Sequence, residues 1–160
     1  MFQQCLFPWS FRGPIAGRRG RVASVAVRAL RGATTVDHDS ADEVKGRAAD
    51  LLTALLAHNG VNPDDLISVF FTATDDISSV APAAGIREMG LTDVPLLCAV
   101  EMRTDNGLDH CIRLMAHVET DKPRAEIRHL FLGRATVLRP DLIESGADGS
   151  NGPAQAGRTA

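Results

Sequence analysis

"SVAVRALRGATTVDHDSADEVKGRAADLLTALLAHNG", residues 24–60, changes its hydrophobic period halfway along. In its first part Val25, Val27, Ala29 and Arg31 fall on one side of an extended chain, and Ala26, Arg28 and Leu30 on the other. A period of two marks a strand with one buried side. From Ser40 the period becomes helical. Ser40 and Glu43 form an S-x-x-E capping box. Val44, Ala48, Leu51, Leu52, Leu55 and Leu56 then follow at helical spacing until Gly60 stops the run. A strand leading into a helix of about four turns sets the class as α+β. The apolar row of the strand ends at Arg31. A guanidinium keeps its proton inside proteins, so in a partly buried place it needs an anion.

Working outward, "NPDD" (62–65) is turn chemistry, and "LISVFFTAT" (66–74) is β-branched and aromatic enough for a buried strand. Pro82 opens a short helix through "PAAGIREMG" (82–90). "VPLLCAVEM" (94–102) reads as another buried strand, and "TDNG" (104–107) as a turn. "CIRLMAHVET" (111–120) alternates, with Ile112, Leu114, Ala116 and Val118 on one face. A helix competes there, because Leu108, Ile112 and Met115 also suit a period of 3.6. "EIRHLFLGRATVL" (126–138) supplies a last strand. The expected domain, residues 25–142, has a mixed sheet of about five strands, one long helix and short helical pieces.

The flanks read differently. Residues 1–24 mix Pro, Gly, Arg and aromatics without periodicity, which predicts a disordered extension or a misassigned start. Arg18-Arg19 resembles a twin-arginine signal, but Arg21, Arg28 and Arg31 interrupt the apolar segment such a signal requires. Residues 143–160 are small, polar and Gly/Pro-containing, the composition of a disordered tail.

The 160 residues are 44% apolar with a formal net charge of −3, enough for one domain with a core. No apolar stretch approaches the ~18 residues of a membrane span. Residues 25–143 carry 12 basic and 18 acidic side chains. So acidic a body is a poor general nucleic-acid binder. Cys5, Cys98 and Cys111 are few, odd in number and without metal-type spacing, which predicts a reduced, cytoplasmic setting. No phosphate-cradling glycine loop or G-x-S-x-G elbow occurs. The five histidines lack H-x-x-x-H spacing; His117 and His129 could meet across strands as a structural pair rather than a metal site. Neither metal nor cofactor is expected.

What remains is a set of arginines in apolar surroundings: Arg31, Arg87, Arg113 and Arg139. For Arg87 and Arg139 a surface ion pair is at least as good a reading as function. Arg113 has core-like neighbours on both sides and needs a designated partner. Glu101, after "LLCAV", poses the same question with the opposite sign. A structural salt bridge with an arginine and a ligand-binding role are equally good answers there. Cys98 by itself reads as a small buried hydrophobe. Periodicity thus points to a site for a small, multiply anionic molecule and does not name it.

Five stretches together resemble the AroH-class chorismate mutases: "VRALRGATTV" (27–36), "TATDDISSVAPAAGIRE" (72–88), "VPLLCAVEM" (94–102), "GLDHCIRLMAHVETD" (107–121) and "IRHLFLGRATVLRPDL" (127–142). The resemblance implies a homotrimer whose sheets pack into a pseudo-α/β-barrel, with active sites at subunit interfaces. It implies a cofactor-free [3,3] rearrangement of chorismate to prephenate. Such a reaction needs orientation of a flexible dianion and stabilisation of charge on the ether oxygen, not a nucleophile. By the family's motifs, Arg113 would donate to the ether oxygen and a carboxylate, Arg31 would hold the side-chain carboxylate, and Glu101 would accept from the ring hydroxyl. Leu97 and Cys98 would lie alongside Glu101, with the chain bending after the strand so that Cys98 and Glu101 share a ligand. Arg87 would face the ring carboxylate, and Phe131 and Leu138 would line the pocket. This sequence departs from the family at Ala81 (usually aromatic), Ala84 (often lysine) and Phe131 (a tyrosine), which implies somewhat weaker substrate binding. Two alternatives are a trimeric enamine/imine deaminase, which would add a water-activating acid, and a non-catalytic chorismate- or anion-binding module.

Overall fold

The structure, a computed structural model, describes residues 25–105 and 107–140; the expectations for both termini lie outside them. β1 (Ala26–Thr35), α1 (Ala41–Asn59), β2 (Leu66–Ala73), α2 (Ala83–Glu88), β3 (Leu96–Val100), β4 (Cys111–Thr120) and β5 (Leu130–Phe131) follow in chain order. The sheet order is β3-β2-β4-β1-β5. β4 runs antiparallel to both β1 and β2, while the outer pairs β1–β5 and β2–β3 are parallel. The α+β reading holds, and the alternating 111–120 segment is a strand.

α1 covers one face of the sheet. Val44, Ala48, Leu51, Leu52 and Leu55 are fully buried against Leu30, Val69, Phe71, Ile112, Leu114, Ala116 and Val118. Gly32 lets the helix come this close, because a Cβ there would stand 3.1 Å from both the Leu51 side chain and the Leu130 carbonyl. The helix runs 19 residues, a turn longer than the sequence implies. Its capping box is only half formed. Ser40 Oγ accepts from the Glu43 N–H, but the Glu43 carboxylate reaches back to the N–H groups of Asp37 and His38 instead of Ser40. Gly60 ends the helix at φ 58°, as a left-handed C-cap. Buried Asn59 then ties it to the lead-in of β5, donating to the Arg128 carbonyl and accepting from its N–H at 2.8 Å each.

Four expectations need correction. The row Val25, Val27, Ala29 and Arg31 is not the buried side of β1. Leu30, Gly32 and Thr34 face α1, and Val25 and Val27 are more than half exposed. The other face of the sheet therefore stands open, and strict alternation marked the strand without saying which row the helix covers. Second, β3 is an edge strand, not a fully buried one, with Leu97 and Val100 exposed. Third, only Leu130 and Phe131 of the 126–138 segment pair as a strand; Gly133, at φ 57°, turns the chain into a 3-10 helix over Gly133–Leu138. His117 and His129 also do not meet, since β1 lies between their strands.

Candidate active site

Register builds the site on the open face. Arg113 on β4 stands opposite Ala33 on one side and Thr72 on the other. Thr72 in turn stands opposite Ala99 of β3. The Glu101 N–H donates to the Ala73 carbonyl at 2.8 Å, carrying the β2–β3 ladder one residue past the strand. Glu101 thereby keeps the parity of Leu97 and Ala99 and lands beside Arg113. Arg113 Nη1 lies 2.8 Å from Glu101 Oε1, and Thr72 Oγ1 donates to Glu101 Oε2 at 3.3 Å. Both charged side chains are mostly buried, and Arg113 Nε is buried without a hydrogen-bond partner among the described residues. An unmet donor on a buried cation costs free energy, and a ligand acceptor would recover it.

A cavity of about 500 Å³ opens beside this pair, lined by Thr74, Asp76, Arg103, Leu108, Glu101 and Arg113 among others. Its floor is fixed by Asp76, which accepts from the Thr74 hydroxyl and from the His110 N–H. Thr74 Oγ1 also takes the Cys111 N–H at 3.0 Å. These bonds hold His110 at φ 52°, a conformation uncommon for a side-chain-bearing residue, and so aim the start of β4. Burial opposes ionisation of Asp76, but the bonds from Thr74 and His110 outweigh it and hold the carboxyl below its ordinary range. Burial pushes the Cys111 thiol up, with the neighbouring Arg113 charge opposing. Cys111 is thus a neutral packing group rather than a nucleophile.

Arg31 occupies the same face, opposite Met115, one step diagonally from Arg113. Its guanidinium carbon lies 6.0 Å from the centroid of the Phe131 ring, and its backbone N–H donates to His129 Nδ1 at 3.2 Å. A second cavity, about 440 Å³, lies here between Val27, Arg28, Arg31, Met115, Arg124 and His129. Burial, then the charges of Arg139 and Arg31, lower the His129 imidazole below its ordinary value. Phe131 packs with Ala33, Cys111 and Ala135, and Leu138 joins this small cluster.

The structure thus gathers Arg113, Glu101, Arg31, Phe131 and Leu138 on one face. It does not gather the rest. The Cys98 side chain packs against the core, on the α1 side of the sheet. The bend expected between Cys98 and Glu101 is absent, because the ladder continues through Glu101. Leu97 has the right parity but sits four residues before Glu101, roughly 13 Å along an extended chain. Arg87 lies exposed on α2, which packs on α1, and lines neither cavity. Thr72 escaped the sequence reading, and His129 entered it only as half of a structural pair with His117. The signal for Thr72 was its parity in "TAT", but only the strand register turns parity into contact.

This arrangement offers two guanidiniums separated by one sheet diagonal, a carboxylate beside the more buried one, and the apolar cluster of Phe131, Ala135 and Leu138 near Arg31; Asp75, Asp76, Asp105 and Asp109 also line the cavity beside Arg113. Each guanidinium can take an anionic group as a planar fork.

The sequence profile of the family described as "Chorismate mutase type I" matches residues 27–142. The chain is 41% identical over 117 residues to "Chorismate mutase AroH" of Bacillus subtilis (strain 168), covering 72% of this chain and 92% of that protein. It is 39% identical to "Chorismate mutase AroH" of Thermus thermophilus, covering 72% and 96%. Among solved structures, the chorismate mutase from Clostridium thermocellum Cth-682 superposes with a TM-score of 0.67 at 42% identity, covering 69% of this chain and 98% of that one.

Proposed function

The chain belongs to the chorismate mutase type I family, and from that premise we infer how its open sheet face carries out the family's reaction. The protein is a chorismate mutase, an isomerase of aromatic amino acid biosynthesis that converts chorismate to prephenate. The conversion is a concerted shift: the C–O bond of the enolpyruvyl ether breaks as a C–C bond forms, and no proton changes hands. Catalysis then reduces to holding the folded conformer and stabilising the charge that grows on the ether oxygen.

In this reading Arg113 is the central donor. The observation that carries it is the buried Arg113 Nε, without a partner among the described residues, beside an Nη1 held at 2.8 Å by Glu101. Glu101 orients the guanidinium fork and accepts from the ring hydroxyl. Arg31 takes the side-chain carboxylate as a planar fork, with Phe131 beneath it and Leu138 closing the wall. Leu97 and Cys98 contribute through their backbone at most, since neither side chain reaches Glu101.

The active assembly is a homotrimer. Leu97, Phe70 and Met115 form an exposed apolar row across three strands of the face that α1 leaves open, and Val27 lies exposed farther along β1 on the same face. A patch of that kind marks an interface. Arg87, exposed on the helix layer, lines neither cavity of its own subunit, which supports a reading in which it meets the ring carboxylate from a neighbouring subunit, at a site between subunits. Residues 25–142 suffice for turnover without the flanking segments. The protein works in the cytoplasm, where unbridged Cys98 and Cys111 stay reduced. Among the described residues no helix is long and apolar enough to cross a membrane.

The test mixes purified protein with chorismate, follows loss of its diene absorbance and assays prephenate. Conversion abolished by Arg113→Ala supports the reading. Conversion that survives it removes Arg113 from the centre.

A further inference from the structure

We propose that Thr72 is a positioning residue for the mutase reaction, holding Glu101 in place while Arg113 turns to the substrate. The proposal rests on the roles given above to Arg113 and Glu101. In the unliganded protein the two carboxylate oxygens of Glu101 are held from different strands, Oε1 by Arg113 of β4 and Oε2 by Thr72 of β2. The first hold is conditional. A guanidinium that donates to an ether oxygen and a carboxylate must share its fork with them, and its grip on Glu101 weakens at that moment. Glu101 lies one residue beyond β3, an edge strand, so its own backbone is braced from one side only.

Thr72 is suited to be the permanent anchor. β2 is an interior strand, and Thr72 is paired on both sides, with Arg113 and with Ala99. Its β-branched side chain is stiff at χ1, so the hydroxyl direction is set by the sheet. Thr72 is not among the residues lining the cavity beside Arg113, so it acts through Glu101.

The experiment compares Thr72→Val, which keeps shape and strand preference but removes the hydroxyl, with Thr72→Ser, which keeps the hydroxyl. Each is measured in the native and Glu101→Ala backgrounds, with thermal melting to confirm folding. Thr72→Val is expected to lower kcat/KM about tenfold, as loss of one bond to a charged group would, and Thr72→Ser to stay within about twofold of native. In the Glu101→Ala background Thr72→Val is expected to change nothing further. A Thr72→Val effect of equal size in both backgrounds shows a merely structural role and overturns the proposal, as does a native rate in Thr72→Val. A native rate in Glu101→Ala overturns the site reading itself, and the positioning role with it.

Discussion

Arg31 and Arg113 are diagonal neighbours on one sheet face: Arg113 stands opposite Ala33, and Arg31 lies two residues before Ala33 on β1. Diagonal positions are roughly 7–8 Å apart. Two forked cations so spaced can grip separate anionic groups of one small molecule, while Ala33, fully buried under Phe131 and Ala135, packs the sheet beside them. The two differ in setting. Arg113 is largely buried and paired with Glu101, whereas Arg31 is exposed over the Phe131 ring.

That difference sorts their roles. Arg113→Ala should lower kcat by about 3–4 kcal/mol of transition-state stabilisation, several hundredfold or more, as loss of a preorganised charge donor does. Arg113→Lys should also be badly impaired, because a point charge cannot serve Glu101 and substrate together. Single-turnover rates from the diene absorbance check both. A near-native kcat in Arg113→Ala would remove it from the chemistry.

Phe131 is where a lost contact can be restored. Its ring lies against Arg31 and is almost wholly buried in the cluster with Ala33, Cys111 and Ala135. Phe131→Tyr should add a donor to an anionic substrate and lower KM several-fold, up to about tenfold for one charge-assisted bond, with kcat little changed. An unchanged KM would mean that the phenol does not reach the substrate.

Much of this was legible in the chain because strand periodicity and helix capping are local. The helix from Ser40 to Gly60 followed from spacing, and alternation offered the strand that holds Arg113 against a competing helix. Which side of β1 is buried was not legible: Val25 and Val27 are as apolar as Leu30, and only the position of α1 decides between them. Within the site, the alternation "TAT" left Thr72 as one polar residue among several. Its contact with Glu101 depends on the register of β2 against β3, which spacing does not carry. Cys98 was misplaced for a related reason, since the expected bend gives way to one more ladder bond at Glu101.

The open face makes its own prediction. Met115 sits centrally on it, between Arg31 of β1 and Phe70 of β2. Met115→Glu should set a charge on the face proposed above as the subunit interface and shift the protein to a smaller species in sedimentation velocity, with turnover falling in parallel. A variant whose sedimentation is unchanged would remove this face as the proposed interface.

Gly85 tests how α2 is seated. A Cβ at this position would collide with the Lys45 carbonyl and the atoms behind it, all backbone of α1. Because the obstacle is backbone, no side-chain rotation relieves it. Gly85→Ala should therefore cost at least the ~1–3 kcal/mol typical of overpacking, read as a lower urea midpoint at unchanged m-value. Lys45 also bonds Glu88 across the same seam at 2.9 Å, but that pair is exposed and should add little. Native stability in Gly85→Ala would mean the two helices separate easily.

His129 gives the pH dependence its sign. Its Nδ1 accepts the Arg31 N–H, which requires an unprotonated nitrogen, and burial with the Arg139 and Arg31 charges lowers its proton affinity when folded. Above the ordinary imidazole value of 6.5 the folded and unfolded chains are both neutral at this residue, and its contribution is fully present. As pH falls below 6.5 the unfolded chain takes up the proton first, so stability declines until the folded pKa is passed. Carboxylates such as Asp76, lowered from 3.8, act only at lower pH. Urea midpoints measured from pH 7 to pH 5 should therefore fall in the native protein and fall less in His129→Asn, which keeps an acceptor and cannot titrate. Because the same proton breaks the bond to the Arg31 backbone, KM for chorismate should rise over that range in the native enzyme and stay flatter in His129→Asn. Identical slopes in the two proteins would place the acid sensitivity elsewhere.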